Sequence, residues 1–169
     1  MNRIYVTAGV RCDAAGRVLV SQRPEGKSLA GAWEFPGGKL EAGESRHAGL
    51  TRELDEELGI QVVTARPLIR YTHRYPKVEV DLDVWRVEQW EGEVKPCESQ
   101  ALKWCLLEEL RHIGLLRADA PVVDALSLPD TILVTPADAK SGEQPFLDSL
   151  DKVLRPGMLI CLRQPDLDV

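Results

Sequence analysis

Glu53, Glu56 and Glu57 stand three and four residues apart. At about 100° per residue, that spacing puts their carboxylates on one face of a helix. Leu50, Leu54 and Leu58 form an apolar stripe beside them, suited to docking on a core. A solvated acidic face is the ordinary explanation for such a run, and here it meets a physical objection. Glu56 and Glu57 fall in the last helical turn, where the helix dipole disfavours anions. Like charges at this spacing also repel, and Arg52 and Lys39 cannot neutralise the whole set. A hard divalent cation removes the repulsion. Mg²⁺ in particular binds through a few carboxylates and shares its remaining positions with water and substrate phosphate.

The neighbouring residues supply what would position this cluster. Pro36-Gly37-Gly38 is a glycine-rich loop, Glu44 stands at the helix start, residues 45–58 read as the helix, and Gly59 suits a left-handed C-terminal cap. Written out, the stretch is Gly38, five residues, Glu44, seven residues, then Arg52-Glu53-Leu54-Asp55-Glu56-Glu57-Leu58-Gly59-Ile60. It resembles the complete 23-residue signature of the Nudix hydrolases, with no departure at a fixed position. Resemblance to the MutT-type, 8-oxo-dGTP diphosphatase branch extends to about Leu126 through Gln22-Arg23-Pro24, Trp33-Glu34-Phe35-Pro36-Gly37-Gly38 and Trp90-Glu91-Gly92-Glu93.

This resemblance implies an α/β/α sandwich with a mixed sheet and a Mg²⁺-dependent enzyme, with Mn²⁺ as a substitute. The reaction it implies is attack by water on a phosphorus of a nucleoside triphosphate, releasing monophosphate and pyrophosphate. Metal ligands carried over are Glu53, Glu56, Glu57, Glu98 and the Gly37 carbonyl. Glu53 and Glu98 are the candidate bases, and Arg52 is the residue that orients the helix glutamates. Glu44 acts as a helix N-terminal partner or positions Arg52. Substrate contacts carried over are Arg23, Phe35, Gly38, Lys39, Tyr75 and Asp119.

Several of these positions admit a plainer role. Glu98 is also readable as a solvated loop glutamate, and Arg23 as a surface arginine. Tyr71, His73 and Tyr75 alternate along one strand face, which suits packing as well as base stacking. Asp119 can serve as an N-cap before Ala120-Pro121. Alternatively its carboxylate reads a base edge, accepting from the N7–H of an oxidised guanine or from the amino group of cytosine. Oxidised dGTP is thus one substrate expectation, and CTP or a modified pyrimidine triphosphate is another. A reading of a different class is a nucleotide-sensing domain within a fusion protein.

Around the central helix, residues 3–12 and 17–22 read as strands of a hairpin about the turn Asp13-Ala14-Ala15-Gly16. Residues 33–35 read as a short strand, and residues 62–71 as a strand interrupted near Pro67. Residues 78–87 and 101–105 are two further strands, separated by a turn at residues 90–93. Residues 107–112 begin a short helix, and residues 119–126 form another. This order fits a sheet covered on two faces. The Nudix-like domain is therefore expected over residues 1–128.

Past Pro129 the character changes to a strand–helix–strand appendage over residues 129–169. Ile132-Leu133-Val134-Thr135-Pro136 and Ile160-Cys161-Leu162-Arg163 resemble the opening of a thiamine-phosphate-synthase-like barrel. That resemblance implies a fused thiamine-related domain beyond residue 169.

Composition sets the wider bounds. With 44% apolar and 28% charged residues, the chain reads as a soluble globular protein, expected in the cytoplasm. It has no apolar run of membrane-spanning length, and its first residues are not expected to be a signal peptide. A net charge of −6 argues against long nucleic acid, while a metal can still mediate binding of a small polyphosphate. The partner expected is a small-molecule nucleoside triphosphate, with neither nucleic acid polymer nor membrane. The four cysteines lack ligand spacing and read as reduced and mostly buried. Trp33, Trp85, Trp90 and Trp104 read as core or rim anchors.

Overall fold

The computed structural model describes residues 2–136 and 144–163. The chain divides into two compact units, Met1–Ala125 and Leu126–Val169.

In the first unit, β1 (Asn2–Arg11) lies between β4 (Gly37–Lys39) and β6 (Val78–Glu91), and β5 (Gln61–Arg74) closes the sheet beyond β6. β1 runs parallel to β6, and the other pairs are antiparallel, so the sheet is mixed. A second sheet has the order β3 (Trp33–Glu34), β2 (Val18–Gln22), β7 (Leu102–Cys105). The expected hairpin of residues 3–22 therefore does not form. β1 pairs along its whole length with β6 and at Val6–Ala8 with β4, so both its edges are occupied. Among the described residues, a Cys12–Val18 bridge and a 2.9 Å bond from the Asp13 N–H to Arg17 O join the end of β1 to the strand that follows, so pairing is confined to the turn.

Helix α1 (Arg46–Leu58) packs on β1, β4 and β5. Ser45 caps its N-terminus, the Oγ accepting from the Ala48 N–H at 3.1 Å. Such a cap is worth about 1 kcal/mol. Gly59 takes a left-handed φ of 67° and donates its N–H to Asp55 O at 2.8 Å, which ends the helix. Leu50, Leu54 and Leu58 are buried with Leu19, Ile60 and Val87. The close approach needs glycine at position 9 of β1, where a Cβ would stand 2.7 Å from Leu54 Cδ1. The mixed sheet with α1 packed on it is the architecture expected from the sequence.

Local differences from the expected elements have plain causes. β5 continues through Pro67 because the ladder shifts register between Pro67 and Ile69, a bulge that accommodates a residue without an N–H. β6 runs on through Trp90 and Glu91, and the turn waits for Gly92 at φ 93°. The short helix expected at 107–112 is one 3₁₀ turn at Glu109–Arg111. A second 3₁₀ turn, Arg117–Asp119, precedes α2 (Ala120–Ser127), whose Val122 and Val123 are buried. Trp90 and Trp104 flank the Arg11 guanidinium, 3.3 Å and 5.2 Å from the ring centroids. Cys105 is buried and Cys12 half-buried, but Cys97 and Cys161 are exposed, contrary to the mostly buried expectation. Cys97 lies in a loop and Cys161 on a strand whose residues are all exposed.

In the second unit, β8 (Ile132–Val134), α3 (Gln144–Val153) and β9 (Leu159–Cys161) form a strand–helix–strand segment. β8 and β9 pair in parallel, Ile132 opposite Leu159. The remainder of the appendage, residues 137–143 and 164–169, lies outside the described residues. Among the described residues, no helix is long and apolar enough to cross a membrane.

Candidate active site

The carboxylates of α1 sit over the glycine loop that enters β4. The Gly37 N–H donates to Glu57 Oε2 at 3.0 Å. Gly37 has φ 148°, and a Cβ there would collide with the Thr7 and Ala8 backbone. A Cβ on Gly38 would collide instead with the carboxylate of Glu53. Both glycines are therefore explained by close approach, to β1 at one and to Glu53 at the other.

Burial, and after it the charges of Glu34, Glu98 and Glu53, push the Glu57 carboxyl up to about 7 against the pull of the Gly37 N–H. Burial also raises Glu53, with Glu56 and Glu98 adding to it and Arg52 opposing. Glu56 stands at the solvent edge of the cluster, its side chain 55% exposed.

Arg52 ties the group together. Its Nε and Nη2 donate to the two oxygens of Glu44, each at 3.0 Å. Its Nη1 reaches Glu53 Oε1 at 2.9 Å and Glu56 Oε2 at 3.2 Å, and Nη2 also donates to the Lys39 carbonyl at 3.0 Å. Glu44 accepts in turn from the Glu41 N–H, so of its two expected roles the arrangement is that of a residue fixing Arg52. Lys39 enters this network through its carbonyl.

A second group lies around Asp119. This residue is 5% exposed, and its Oδ2 accepts from the Phe35 N–H at 3.4 Å. Its carboxylate thus faces β3 and the glycine loop. Burial, and next the charge of Glu34, push Asp119 up to about 7. The Phe35 side chain is buried in the core, so what Phe35 offers here is its backbone. Tyr71 donates its hydroxyl to the Ala118 carbonyl at 2.5 Å. Tyr75 lies within electrostatic reach of Asp119, Arg23 and Glu34, and its ring meets His73 edge-on at 4.6 Å between centroids. Arg23 pairs with Glu34 at 2.5 Å and donates to the Ser28 carbonyl at 2.7 Å.

Two residues absent from the sequence-derived site join these groups. Glu34 acts electrostatically on both Glu57 and Asp119. Its signal was a charged residue held between Trp33 and Phe35 just ahead of the glycine loop. Lys27 Nζ pairs with Glu98 Oε2 at 2.9 Å, and Glu98 in turn acts on Glu53 and Glu57. Loop conformation alone brings Lys27 there, and spacing carries no signal of it.

Among the described residues, no three carboxylate, imidazole or thiol groups surround one point at metal-ligand spacing. Glu53 and Glu56 are drawn to Arg52, Glu57 to Gly37, and Glu98 to Lys27. The donor set nonetheless suits a hard divalent cation. All its candidate ligands are oxygens, and a cation relieves the like-charge crowding that adds to burial in raising Glu57.

Known proteins resemble this chain over most of its first unit. The NUDIX domain family profile matches residues 7–125. The CTP pyrophosphohydrolase of Escherichia coli K12 is 37% identical over 125 residues, covering 74% of this chain and 92% of that protein. An 8-oxo-dGTP diphosphatase of Proteus vulgaris is 39% identical over 92 residues, covering 54% of this chain and 82% of the relative. Among solved structures, one from a study of MutT from Aliivibrio salmonicida and Vibrio cholerae superposes with a TM-score of 0.64. It has 32% identity and covers 74% of this chain and 97% of that one.

Proposed function

This chain belongs to the Nudix hydrolase family, and on that premise we propose that it converts a nucleoside triphosphate to the monophosphate and pyrophosphate, acting on 8-oxo-dGTP. Glu53, Glu56, Glu57, Glu98 and the Gly37 carbonyl would hold Mg²⁺, or Mn²⁺ in its place. When bound, the metal neutralises phosphate charge and lowers the pKa of water. The chain's own groups do the rest. Water attacks a phosphorus, a new P–O bond forms, and the bridging P–O bond to pyrophosphate breaks. Glu53 or Glu98 takes the water's proton. Arg52 holds Glu53 and Glu56 in place, and Glu44 holds Arg52.

The observation that carries this reading is the apposition of Glu53 and Glu57 to Gly38 and Gly37. Arg23 and Lys39 supply positive charge for the polyphosphate, and Gly38 leaves room for the Glu53 carboxylate beside it. Tyr75 borders the base.

Substrate choice rests on Asp119. Its buried carboxylate sits beside the Phe35 N–H and accepts hydrogen bonds. Oxidation gives guanine an N7–H, which such an acceptor reads directly. A second reading, CTP, is favoured by the same residue, because the cytosine amino group also donates. The E. coli CTP pyrophosphohydrolase relative lends it support.

Pyrophosphate release with Mg²⁺, measured over 8-oxo-dGTP, dGTP, CTP, 5-methyl-dCTP and ADP-ribose, decides between them. A large kcat/KM preference for 8-oxo-dGTP over dGTP is expected. A preference for cytidine nucleotides would move the assignment to the pyrimidine reading, and no release from any of them would reject both.

The β8–α3–β9 segment supports a finer proposal for residues 129–169, as the first β–α–β unit of a thiamine-phosphate-synthase-like domain fused to residues 1–128. A single unit cannot close a barrel, which takes eight.

A further inference from the structure

Two loops meet at the carboxylate cluster. One, residues 95–100, is fastened to the C-terminal end of α1. The Lys95 N–H donates to Leu58 O at 2.9 Å, and the Cys97 N–H to Glu57 O at 3.0 Å. Gln100 Nε2 donates to the same Glu57 carbonyl at 2.7 Å, while its Oε1 accepts from the Glu98 N–H at 2.8 Å. These bonds satisfy carbonyls that a helix end leaves open, and they fix the Glu98 backbone relative to Glu57.

The other loop, residues 23–32, is folded on Arg23. The Arg23 N–H donates to Ala32 O and the Gly31 N–H to Arg23 O, both at 2.9 Å. Leu29 and Ser99, each at φ 60°, are the two non-glycine residues with positive φ among the described residues. One lies in each loop, Leu29 two residues past Lys27 and Ser99 next to Glu98. Strained backbone of this kind collects at functional sites.

The Lys27–Glu98 pair joins these loops. Arg52 is held by Glu44, Glu53, Glu56 and the Lys39 carbonyl, and Arg23, a second source of positive charge for the polyphosphate, is held by Glu34 and the Ser28 carbonyl. Lys27 differs. Among the described residues its ammonium is held by Glu98, and both side chains are about half exposed. Such a pair is weak and exchanges cheaply. A lysine ammonium on a four-carbon stem is a mobile point charge suited to phosphate oxygens.

We propose that Lys27 is a phosphate-contacting residue held in reserve by Glu98. It stays on that carboxylate until a divalent cation claims Glu98, then turns to the terminal phosphates of the nucleotide. This inference rests on the pyrophosphohydrolase reading for its second half and on the Lys27–Glu98 geometry for its first.

The test has two arms on the full chain. In the first, Mn²⁺ binding without nucleotide is followed by electron paramagnetic resonance. Lys27→Met should bind Mn²⁺ about twofold to fivefold more tightly, the range set by an exposed ion pair. In a Glu98→Gln background the same substitution should have a clearly smaller effect, left by the Lys27 charge acting on Glu57, because the rest of the coupling is specific to the Lys27–Glu98 pair. In the second arm, Lys27→Met should raise KM for the nucleoside triphosphate about tenfold with kcat nearly unchanged, and Lys27→Arg should recover part of the loss. Unchanged Mn²⁺ affinity in Lys27→Met, or an equal change with Gln at position 98, overturns the exchange. Unchanged KM overturns the phosphate contact. If the unmutated chain releases no pyrophosphate, the pyrophosphohydrolase reading falls and the phosphate contact with it, while the Mn²⁺ arm still judges the exchange.

Discussion

Arg52 grips Glu44 with two parallel hydrogen bonds of 3.0 Å and, through its remaining nitrogen, holds Glu53 at 2.9 Å. A residue ahead of the helix thereby sets the position of a carboxylate in its middle. Lysine cannot reproduce this fork. Arg52→Lys should therefore lower kcat by about tenfold to a hundredfold, the cost of displacing a catalytic group by about an ångström. Glu44→Gln should act in the same direction but more weakly. Steady-state kinetics on both variants check this, and equal kcat for Arg52→Lys and the unmutated chain would contradict it.

The paired glycines should separate function from stability. Gly38→Ala places a methyl group against the end of the Glu53 side chain, which can swing away. The fold should survive while turnover drops by about a hundredfold, because Glu53 is displaced. Gly37→Ala meets backbone at a φ of 148° and should cost on the order of 2–4 kcal/mol of stability. Thermal melts and kcat for the two variants test the contrast.

Asp119 predicts how stability changes with pH. Its folded pKa, about 7, lies above the ordinary aspartate value of about 3.9. Between those values the folded state keeps a proton that the unfolded state has released. Stability therefore falls as pH rises from about 4 to about 7 and levels off above that. Glu57 contributes with the same sign. Asp119→Asn should remove its own share, on the order of a few kcal/mol, and flatten the profile. Urea midpoints at pH 5 and pH 8 measure this, and parallel profiles for the two proteins would refute it.

The proposed division of the chain predicts that residues 1–128, which retain α2 to its end at Ser127, keep full pyrophosphate release. Loss of solubility or activity on that truncation would show instead that the later residues complete the catalytic unit.

Much of the site was legible because short-range patterns determine it. The leucine stripe, the capping Gly59 and the three glutamates are all fixed by helical spacing, and α1 carries them as expected. What escaped depends on pairing and loop shape. The turn at residues 13–16 suggested a hairpin, yet β1 had both edges taken by strands distant in sequence. Asp119 suited an N-cap, but its carboxylate turns to the Phe35 N–H across a gap of 84 residues. Glu34 and Lys27 gain their roles from neighbours that only the folded chain brings near.

The most direct measurement compares pyrophosphate release from 8-oxo-dGTP with Mg²⁺ by the unmutated chain and by Glu57→Gln. Release by the first is expected, with a loss in kcat/KM of more than about a hundredfold in the second. The thermal midpoint of Glu57→Gln should be unchanged or higher, because a carboxyl that burial raises to about 7 costs stability when ionised. Equal release by the two proteins would contradict the claim that the carboxylates over the glycine loop do the chemistry.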